Sequence, residues 1–293
     1  MKKRFVSAAL AAVMALSMTA CGSSNSAAET TAADTEAAES QAEETTAEEA
    51  KTTDGGTLIV GFDQDFPPMG FVGDDGEYTG FDLELAEAVC EIYGWKLVKT
   101  PINWDAKDTE LNSGAIDCIW NGFTMNGRED DYTWSDPYVD NSQVMVVSEN
   151  SGINSLSDLA GKTVGVQAAS AALDLLQSEE EGGQKELADT FAALQQFPDY
   201  NNAFVELQAG SIDAVAMDIG VAKYQLESRG EGYKILDEHL NSEKYAIGFK
   251  KGNTELCDKV NEGLQQVLAD GTFDKLAEKY GIADMVCLEK KGE

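Results

Sequence analysis

From residue 57 onward, short apolar runs alternate with longer amphipathic stretches. "TLIVGF" (57–62) predicts a strand, and "GFDLELAEAVCEIYG" (80–94) predicts a helix with Asp82 as N-cap and Gly94 as its end. "KLVKTPI" (96–102) is a second strand, "WDAKDTELNSG" (104–114) a helix ending at Gly114, and "AIDCIWNG" (115–122) a third strand. The order then recurs. "GKTVGVQ" (161–167) reads as a strand and "SAALDLLQSEEEG" (170–182) as a helix. "ELADTFAALQQFP" (186–198) runs on into "DYNNAFVELQAG" (199–210), a helix ending at Gly210, and "SIDAVAMD" (211–218) is a strand. Such alternation predicts an α/β fold with mostly parallel sheets flanked by helices.

Two of these stretches match in register. In "LNSGAIDCIWNG" from Leu111 and "LQAGSIDAVAMD" from Leu207, the Leu, Gly, Ile and Asp positions coincide. One recurrence across this distance points to two similar lobes and not to a solenoid. "YVDNSQVMVVSEN" (138–150) and "NSEKYAIGFKKG" (241–252) read as two crossovers, a two-strand hinge. The closing helices at 253–271 and 272–281 would return to the first lobe. Lobe 1 is therefore expected over 54–140 and 246–293, and lobe 2 over 141–245 with the crossovers at its ends. Ligands of open α/β sheets sit beyond the carboxyl ends of strands, so facing lobes would share one cleft.

The chain has 293 residues, 43% of them apolar, and a formal net charge of −32. That size supports real cores. The charge excludes nucleic acid as a partner, because no basic patch is available to neutralise phosphates. "MKKR", an apolar run and then "TAC" predict a signal peptide over 1–20, with Cys21 as the lipidated first residue. Ordinary cleavage leaving Cys21 free is the alternative. Residues 21–53 lack apolar periodicity and carry eight acidic residues against Lys51, which predicts a disordered acidic tether. Of the later cysteines, Cys90 with Cys118 and Cys257 with Cys287 could pair, or all four could be buried thiols. No CxxC spacing suggests a metal, and no cofactor is implied.

After residue 54 the chain holds only two arginines, Arg128 and Arg229. Arg128 follows the strand end Asn121–Gly122, and its planar fork suits a carboxylate. Met217 and Asp218 occupy the matching strand end, where a carboxylate could take an ammonium. Together they would grip an amino-acid zwitterion. Arg128 could instead pair with Glu129 or Asp130, and Asp218 could cap the helix that follows. Gly122 and Thr124 lie beside Arg128, and Ser170 opens a helix whose free amides favour an anion or that it merely caps. Phe66 and Trp104 are either apolar clamps or core aromatics. Asp63 and Asp82 could meet a distal cation on the ligand.

"GFDQDFPPMGF", "GEYTGFDLELAEAV", "LNSGAIDCIWNGFTMNGRE", "WSDPY", "LAGKTVGVQAAS" and "IDAVAMD" together resemble the substrate-binding lipoproteins of bacterial polar-amino-acid ABC transporters. The resemblance spans about residues 56–282. It implies a bilobal type II periplasmic-binding-protein fold, a monomer touching the membrane only through its lipid, and an ABC permease as partner. It also implies that Asp63, Phe66 and Trp104 line a side-chain pocket, that Gly122, Thr124, Arg128 and Ser170 hold a carboxylate, and that Asp218 holds an ammonium. Three departures bear on pocket shape: the run from Thr124 to Arg128 is one residue short of the common Thr-x-Thr-Pro-Glu-Arg, "QAAS" replaces a glycine-richer loop, and Met217 replaces a polar residue. Two acids and no spare base near the pocket favour a polar or basic amino acid, with cystine and glutamine open. The other readings are a ligand sensor and a dehydratase-type enzyme on the same fold; the lone histidine, His239, falls near the second crossover, away from the strand ends.

Overall fold

A computed structural model describes residues 56–291. The signal peptide, Cys21 and the tether lie outside the described residues. In chain order the strands are β1 (Thr57–Phe62), β2 (Asp65–Phe66), β3 (Gly70–Val72), β4 (Tyr78–Thr79), β5 (Lys96–Pro101), β6 (Cys118–Ile119), β7 (Thr133–Trp134), β8 (Val139–Asn141) and β9 (Gln143–Ser148). They continue with β10 (Thr163–Gln167), β11 (Ala193–Phe197), β12 (Ala214–Asp218), β13 (Tyr233–Ile235), β14 (Glu243–Tyr245) and β15 (Gly248–Phe249). The α-helices are α1 (Phe81–Tyr93), α2 (Lys107–Ser113), α3 (Ala171–Gln177), α4 (Lys185–Ala188), α5 (Tyr200–Ala209), α6 (Ile219–Arg229), α7 (Thr254–Ala269) and α8 (Thr272–Lys279).

Two five-stranded sheets form, in the orders β5-β1-β6-β15-β7 and β11-β10-β12-β9-β13. In each, the second strand, β1 or β10, runs parallel to both neighbours, and the third, β6 or β12, pairs antiparallel on its other side with β15 or β9. The first sheet draws its strands from 57–134 and 248–249, the second from 143–235. Between them β8 and β14 pair antiparallel, with Asn141 opposite Glu243 and Val139 opposite Tyr245. After β14 the chain re-enters the first sheet, and α7 packs on α1, where a Cβ at Gly263 would meet Val89.

The repeated motif does the same work in both sheets. Gly114 and Gly210 end α2 and α5 at φ 80° and 74°, the left-handed conformation that a side chain resists. Three residues on, Asp117 accepts from the Ile59 amide at 2.7 Å and Asp213 from the Thr163 amide at 2.9 Å. Ile116 and Ile212 fill the space above Gly61 and Gly165, where a Cβ would lie 2.3 Å and 2.6 Å from their methyls. The same few residues thus set helix end, strand start and interlayer packing twice.

Two expectations are corrected, and one open alternative is decided. Residues 186–198 are not helical throughout: α4 is one turn, and β11 follows it as an edge strand of the second sheet. Its "ALQQF" is largely exposed, so burial supplies no apolar stripe to read. Asp82 is not the N-cap of α1. Gly80 holds that position, and Asp82 is fully buried, accepting from the Tyr138 hydroxyl at 2.8 Å and from the Gly122 amide. It therefore does not reach out to a ligand's distal cation. The cysteines are free thiols, Cys90, Cys118 and Cys257 buried and Cys287 half-buried, and neither proposed pairing forms.

Burial pushes the Asp82 carboxyl up to about 7, despite the hydrogen bonds from Tyr138 and Gly122 that pull it down. A carboxyl raised on folding contributes stability below its unfolded pKa of about 4, and that contribution is lost as pH climbs through 7. An asparagine could accept from Gly122 and donate to Tyr138. Asp82→Asn should therefore flatten the decline in unfolding free energy between pH 5 and pH 8, by about 1 kcal/mol or more, since each tenfold change in proton affinity on folding is worth about 1.4 kcal/mol. Urea unfolding of both proteins at the two pH values checks this.

Candidate ligand-binding site

The carboxyl ends of β1, β6, β10 and β12 converge near the β8–β14 pair, and the loops leaving them carry the polar side chains. Gly122, just past β6, has φ 56°, and its amide is held by Asp82. An added Cβ would lie 2.9 Å from Phe66, 3.0 Å from Tyr245 and 3.1 Å from Met69, so only glycine lets these three close over the turn. Thr124 pairs with Tyr245 through an isolated bridge, which ties this loop to β14.

Arg128 sits on that loop with its guanidinium 5.3 Å from the Phe123 ring centroid. It donates to the Thr124 carbonyl at 3.4 Å and to Asp174, on α3, at 2.6 Å. Its acidic partner thus comes from the opposite sheet and is not the adjacent Glu129 or Asp130. Arg229 is structural: it covers Phe204 at 4.7 Å and donates to Gln225 at 2.8 Å.

At the second strand end, Asp218 occupies the N-cap position of α6, but its side chain makes no capping bond. The carboxylate turns inward instead. Oδ1 accepts from Asn141 at 2.8 Å, Gln143 at 2.7 Å and Tyr245 at 2.7 Å, and Oδ2 from Tyr200 at 3.3 Å. The same two amide groups serve Glu243, whose Oε1 takes Asn141 at 2.7 Å, Gln143 at 2.8 Å and the Thr124 hydroxyl at 2.8 Å. Burial, then the neighbouring Glu243, pushes Asp218 up to about 6. Thr124 links the poles, since its carbonyl meets Arg128 and its hydroxyl meets Glu243.

A cavity of about 560 Å³ is lined by Asp63, Asp65, Trp104, Asp105, Glu110, Asp199 and the apolar Pro101 and Ile102, among others, and by neither Arg128 nor Asp218. Its lining carries five carboxylates and no basic side chain. Of the expected residues, Asp63 and Trp104 line it, while Phe66, Asn121, Gly122, Thr124, Ser170 and Asp218 are buried outside that lining. Met217 is buried in the apolar cluster that also contains Val144, Phe204 and Val221. Phe66 and Trp104 both pack on aromatics, Tyr200 at 6.0 Å and Phe123 at 5.6 Å, so each is a core contact whatever else it does. Ser170 caps α3, accepting from the Leu173 amide at 3.2 Å. Neither side-chain atom of Asn121 has a hydrogen-bond partner.

Several contacts join the two sheets across this region. Gln167 donates to Asp63 at 2.6 Å, Asn201 to Asp65 at 3.0 Å, and Lys107 to the Ala169 carbonyl at 3.1 Å. Burial pushes Asp63 up to about 6, against hydrogen bonds from the Asp65 amide and Gln167 that lower it. Ala169, in the "QAAS" loop, has φ 53°, a conformation costing an L-residue about 1 kcal/mol. Sequence reasoning missed Lys107, Gln167, Asp174, Tyr200 and Glu243. Only Lys107 left a signal: it occupies the Trp104–Leu111 face of its helix, where an apolar residue would ordinarily sit, and it is buried there. Its ammonium pKa is lowered by burial and then by nearby Arg128. Among the described residues no cluster of three or more His, Cys, Asp or Glu side chains could hold a metal.

The profile of the bacterial extracellular solute-binding proteins, family 3, matches residues 58–283. The L-cystine-binding protein TcyJ of Escherichia coli K12 is 29% identical over 238 residues, covering 80% of this chain and 86% of that one. The arginine-binding extracellular protein ArtP of Bacillus subtilis is also 29% identical, covering 95% and 98%. Among solved structures, an ABC uptake transporter substrate-binding protein from Streptococcus pneumoniae with bound histidine superposes with TM-score 0.75 at 35% identity, covering 79% of this chain and 95% of that one. The fold is that of type II periplasmic binding proteins.

Gly122→Ala should lower the unfolding free energy by about 2 kcal/mol, because the new methyl meets three side chains at once in a left-handed turn. Thermal or urea unfolding of the variant measures the loss.

Proposed function

The chain belongs to the family 3 bacterial extracellular solute-binding proteins, and from that membership we propose that it captures a free amino acid, polar or basic, between its two sheets and hands it to an ABC permease. In this reading residues 54–140 with 246–293, and 141–245, are the two lobes. The β8–β14 pair is the hinge. Arg128, with Thr124 and Ser170, takes the ligand's carboxylate, Gly122 shapes the turn that carries them while its amide stays with Asp82, and Asp218 takes the ammonium. Asp63 and Trp104 line the space for the side chain, and Phe66, Asn121 and Met217, buried outside that lining, support it from the core. The observation that carries the proposal is the cross-sheet pairing of Arg128 with Asp174 beside a buried Asp218 that has no basic partner among the described residues. A zwitterion supplies one charge of each sign: its ammonium offsets the penalty of burying Asp218 without a counter-ion, and its carboxylate competes with the exposed Asp174 for Arg128.

The acidic lining of the cavity favours a ligand whose side chain ends in a cation, in line with relatives named for arginine and with a neighbour holding histidine. Cystine, for which another relative is named, would place a second ammonium in the same acidic space. Binding without turnover fits both the relatives' names and the site. The lone histidine, His239, is exposed and absent from the cavity lining. Cleavage before Cys21 with lipidation of that residue would hold the body outside the membrane on the 21–53 tether, as a monomer; among the described residues no helix is long and apolar enough to cross a membrane.

Calorimetry against the twenty common amino acids, ornithine and cystine identifies the ligand. Arg128→Ala should weaken every ligand by more than a hundredfold, about 3 kcal/mol. Asp63→Asn should leave neutral ligands within a few fold and weaken basic ones by tenfold or more. Retained affinity in the Arg128 variant would reject its role as anchor.

A further inference from the structure

The arrangement around Asp218 is unusual in its charge balance. Asp218 Oδ1 and Glu243 Oε1 lie within 2.8 Å of the same two nitrogens, Asn141 Nδ2 and Gln143 Nε2. Both carboxyl groups are buried, at 4% and 3% exposure. Every group facing Asp218 is neutral or acidic. β8 contributes Asn141, β9 Gln143, α5 Tyr200, and β14 both Tyr245 and Glu243. Around Glu243 stand Thr124 and Asn241, also neutral. Burial raises both tyrosines well above their usual range, so they stay protonated donors. Among the described residues no ion pair reaches either acid. Two like charges this close cannot both be ionised without a cation between them or nearby.

We propose that Asp218 and Glu243 form a paired-carboxylate seat that holds one proton when empty and exchanges it for the ligand's α-ammonium, so that each capture expels one proton. The inference rests on the reading that Asp218 receives the ammonium; Glu243 is a positioning residue that acts through it. In the exchange the O–H bond of the Asp218 carboxyl breaks and its proton passes to solvent. The ammonium keeps its three hydrogens, and no electrons are transferred. The proton's place is Asp218 Oδ2, whose one contact, to Tyr200, is long at 3.3 Å; Glu243 Oε2 is held more closely by Asn241 at 2.8 Å, and Asp218 Oδ1 and Glu243 Oε1 each accept three donors.

Ammonium binding favours the ionised carboxylate, so acid competes with ligand and alkali does not. The raised Asp218 places the window near pH 6. Below it affinity should fall about tenfold per pH unit, the signature of one proton lost per ligand bound. Removing the Glu243 charge should ease ionisation of Asp218 and move the window to lower pH.

The test is calorimetry in two buffers of different protonation enthalpy, at pH 5 and pH 8, using the tightest binder among L-arginine, L-lysine, L-ornithine and L-cystine. The α-ammonium groups stay protonated at pH 5; at pH 8 L-cystine begins to lose protons of its own, so for that ligand the upper measurement is made at pH 7. Asp63, on the cavity lining, is also raised to about 6, so the measurement is made in an Asp63→Asn background. The expected result is close to one proton released at pH 5 and almost none at pH 8, with the midpoint lower in Glu243→Gln. No release at pH 5 with binding intact would overturn the proposal, as would a midpoint unmoved by Glu243→Gln. Should that variant fail to fold, carbon-detected titration of the ligand-free protein decides: Asp218 and Glu243 carboxyl signals that both respond at both steps support the pair, and independent single steps overturn it. Failure of the underlying reading looks different, since Asp218→Asn would then bind the amino acid with undiminished affinity.

Discussion

A buried carboxylate with no basic partner among the described residues governs how the chain is built around the β8–β14 pair. Asp218 lies at the end of β12, Glu243 on β14 and Asn141 on β8, so the two acids and their shared donors come from that pair and the second sheet together. Four neutral donors can satisfy the lone pairs of Asp218, but none supplies positive charge. Hydrogen bonds alone do not offset the desolvation of a charge as a counter-ion does. The β8–β14 region is therefore arranged around an electrostatic deficit, and the most direct remedy is a small cation entering from outside.

The opposite pole is arranged differently. Arg128 already has Asp174, but the Asp174 side chain is 60% exposed against 12% for Arg128. An ion pair with one solvated partner contributes at most about 1 kcal/mol, so a ligand carboxylate can displace it or join it with little penalty. Lys107, buried beside Arg128, adds positive charge on the same side and donates to main-chain carbonyls at 3.1 and 3.5 Å. One end of the cleft is thus short of a cation and the other short of a buried anion. This polarity matches a zwitterion laid in one orientation and disfavours the reverse.

How much of this was legible in the chain depends on sequence distance. The α/β alternation, the glycine helix ends and the Leu–Gly–Ile–Asp recurrence are local, and each is set by a backbone conformation or a strand contact that a few adjacent residues determine. Arg128 and Asp218 could be picked out because each follows a recognisable strand end. Their partners could not. Asp174 lies 46 residues from Arg128, and Glu243 lies 119 from Thr124. Neither has a local pattern that marks an acid as inward-facing. Asp82 shows the same limit from the other side: its place at a helix start suggested a cap, whereas tertiary burial against Tyr138 and Gly122 decided its role. The strand β11 escaped notice because an exposed edge strand carries no apolar alternation.

The cavity lining extends the same charge logic outward. Asp65, Asp105, Glu110 and Asp199 surround the opening, and Asp63 lies deeper, bridged by Gln167 from the second sheet. A cationic side chain pointing out along this space would meet acids over its whole length, and a chain ending in a carboxylate would meet only repulsion. The surface charge of the whole chain, formally −32, has the same sign, so it favours the approach of cations and disfavours that of anions. Such steering is screened beyond roughly 10 Å at physiological salt, which leaves discrimination to the buried groups. On the proposed reading, the outer acids would set how fast a cationic ligand arrives, while Asp63 and the Asp218–Glu243 pair, buried away from that screening, would set whether it stays.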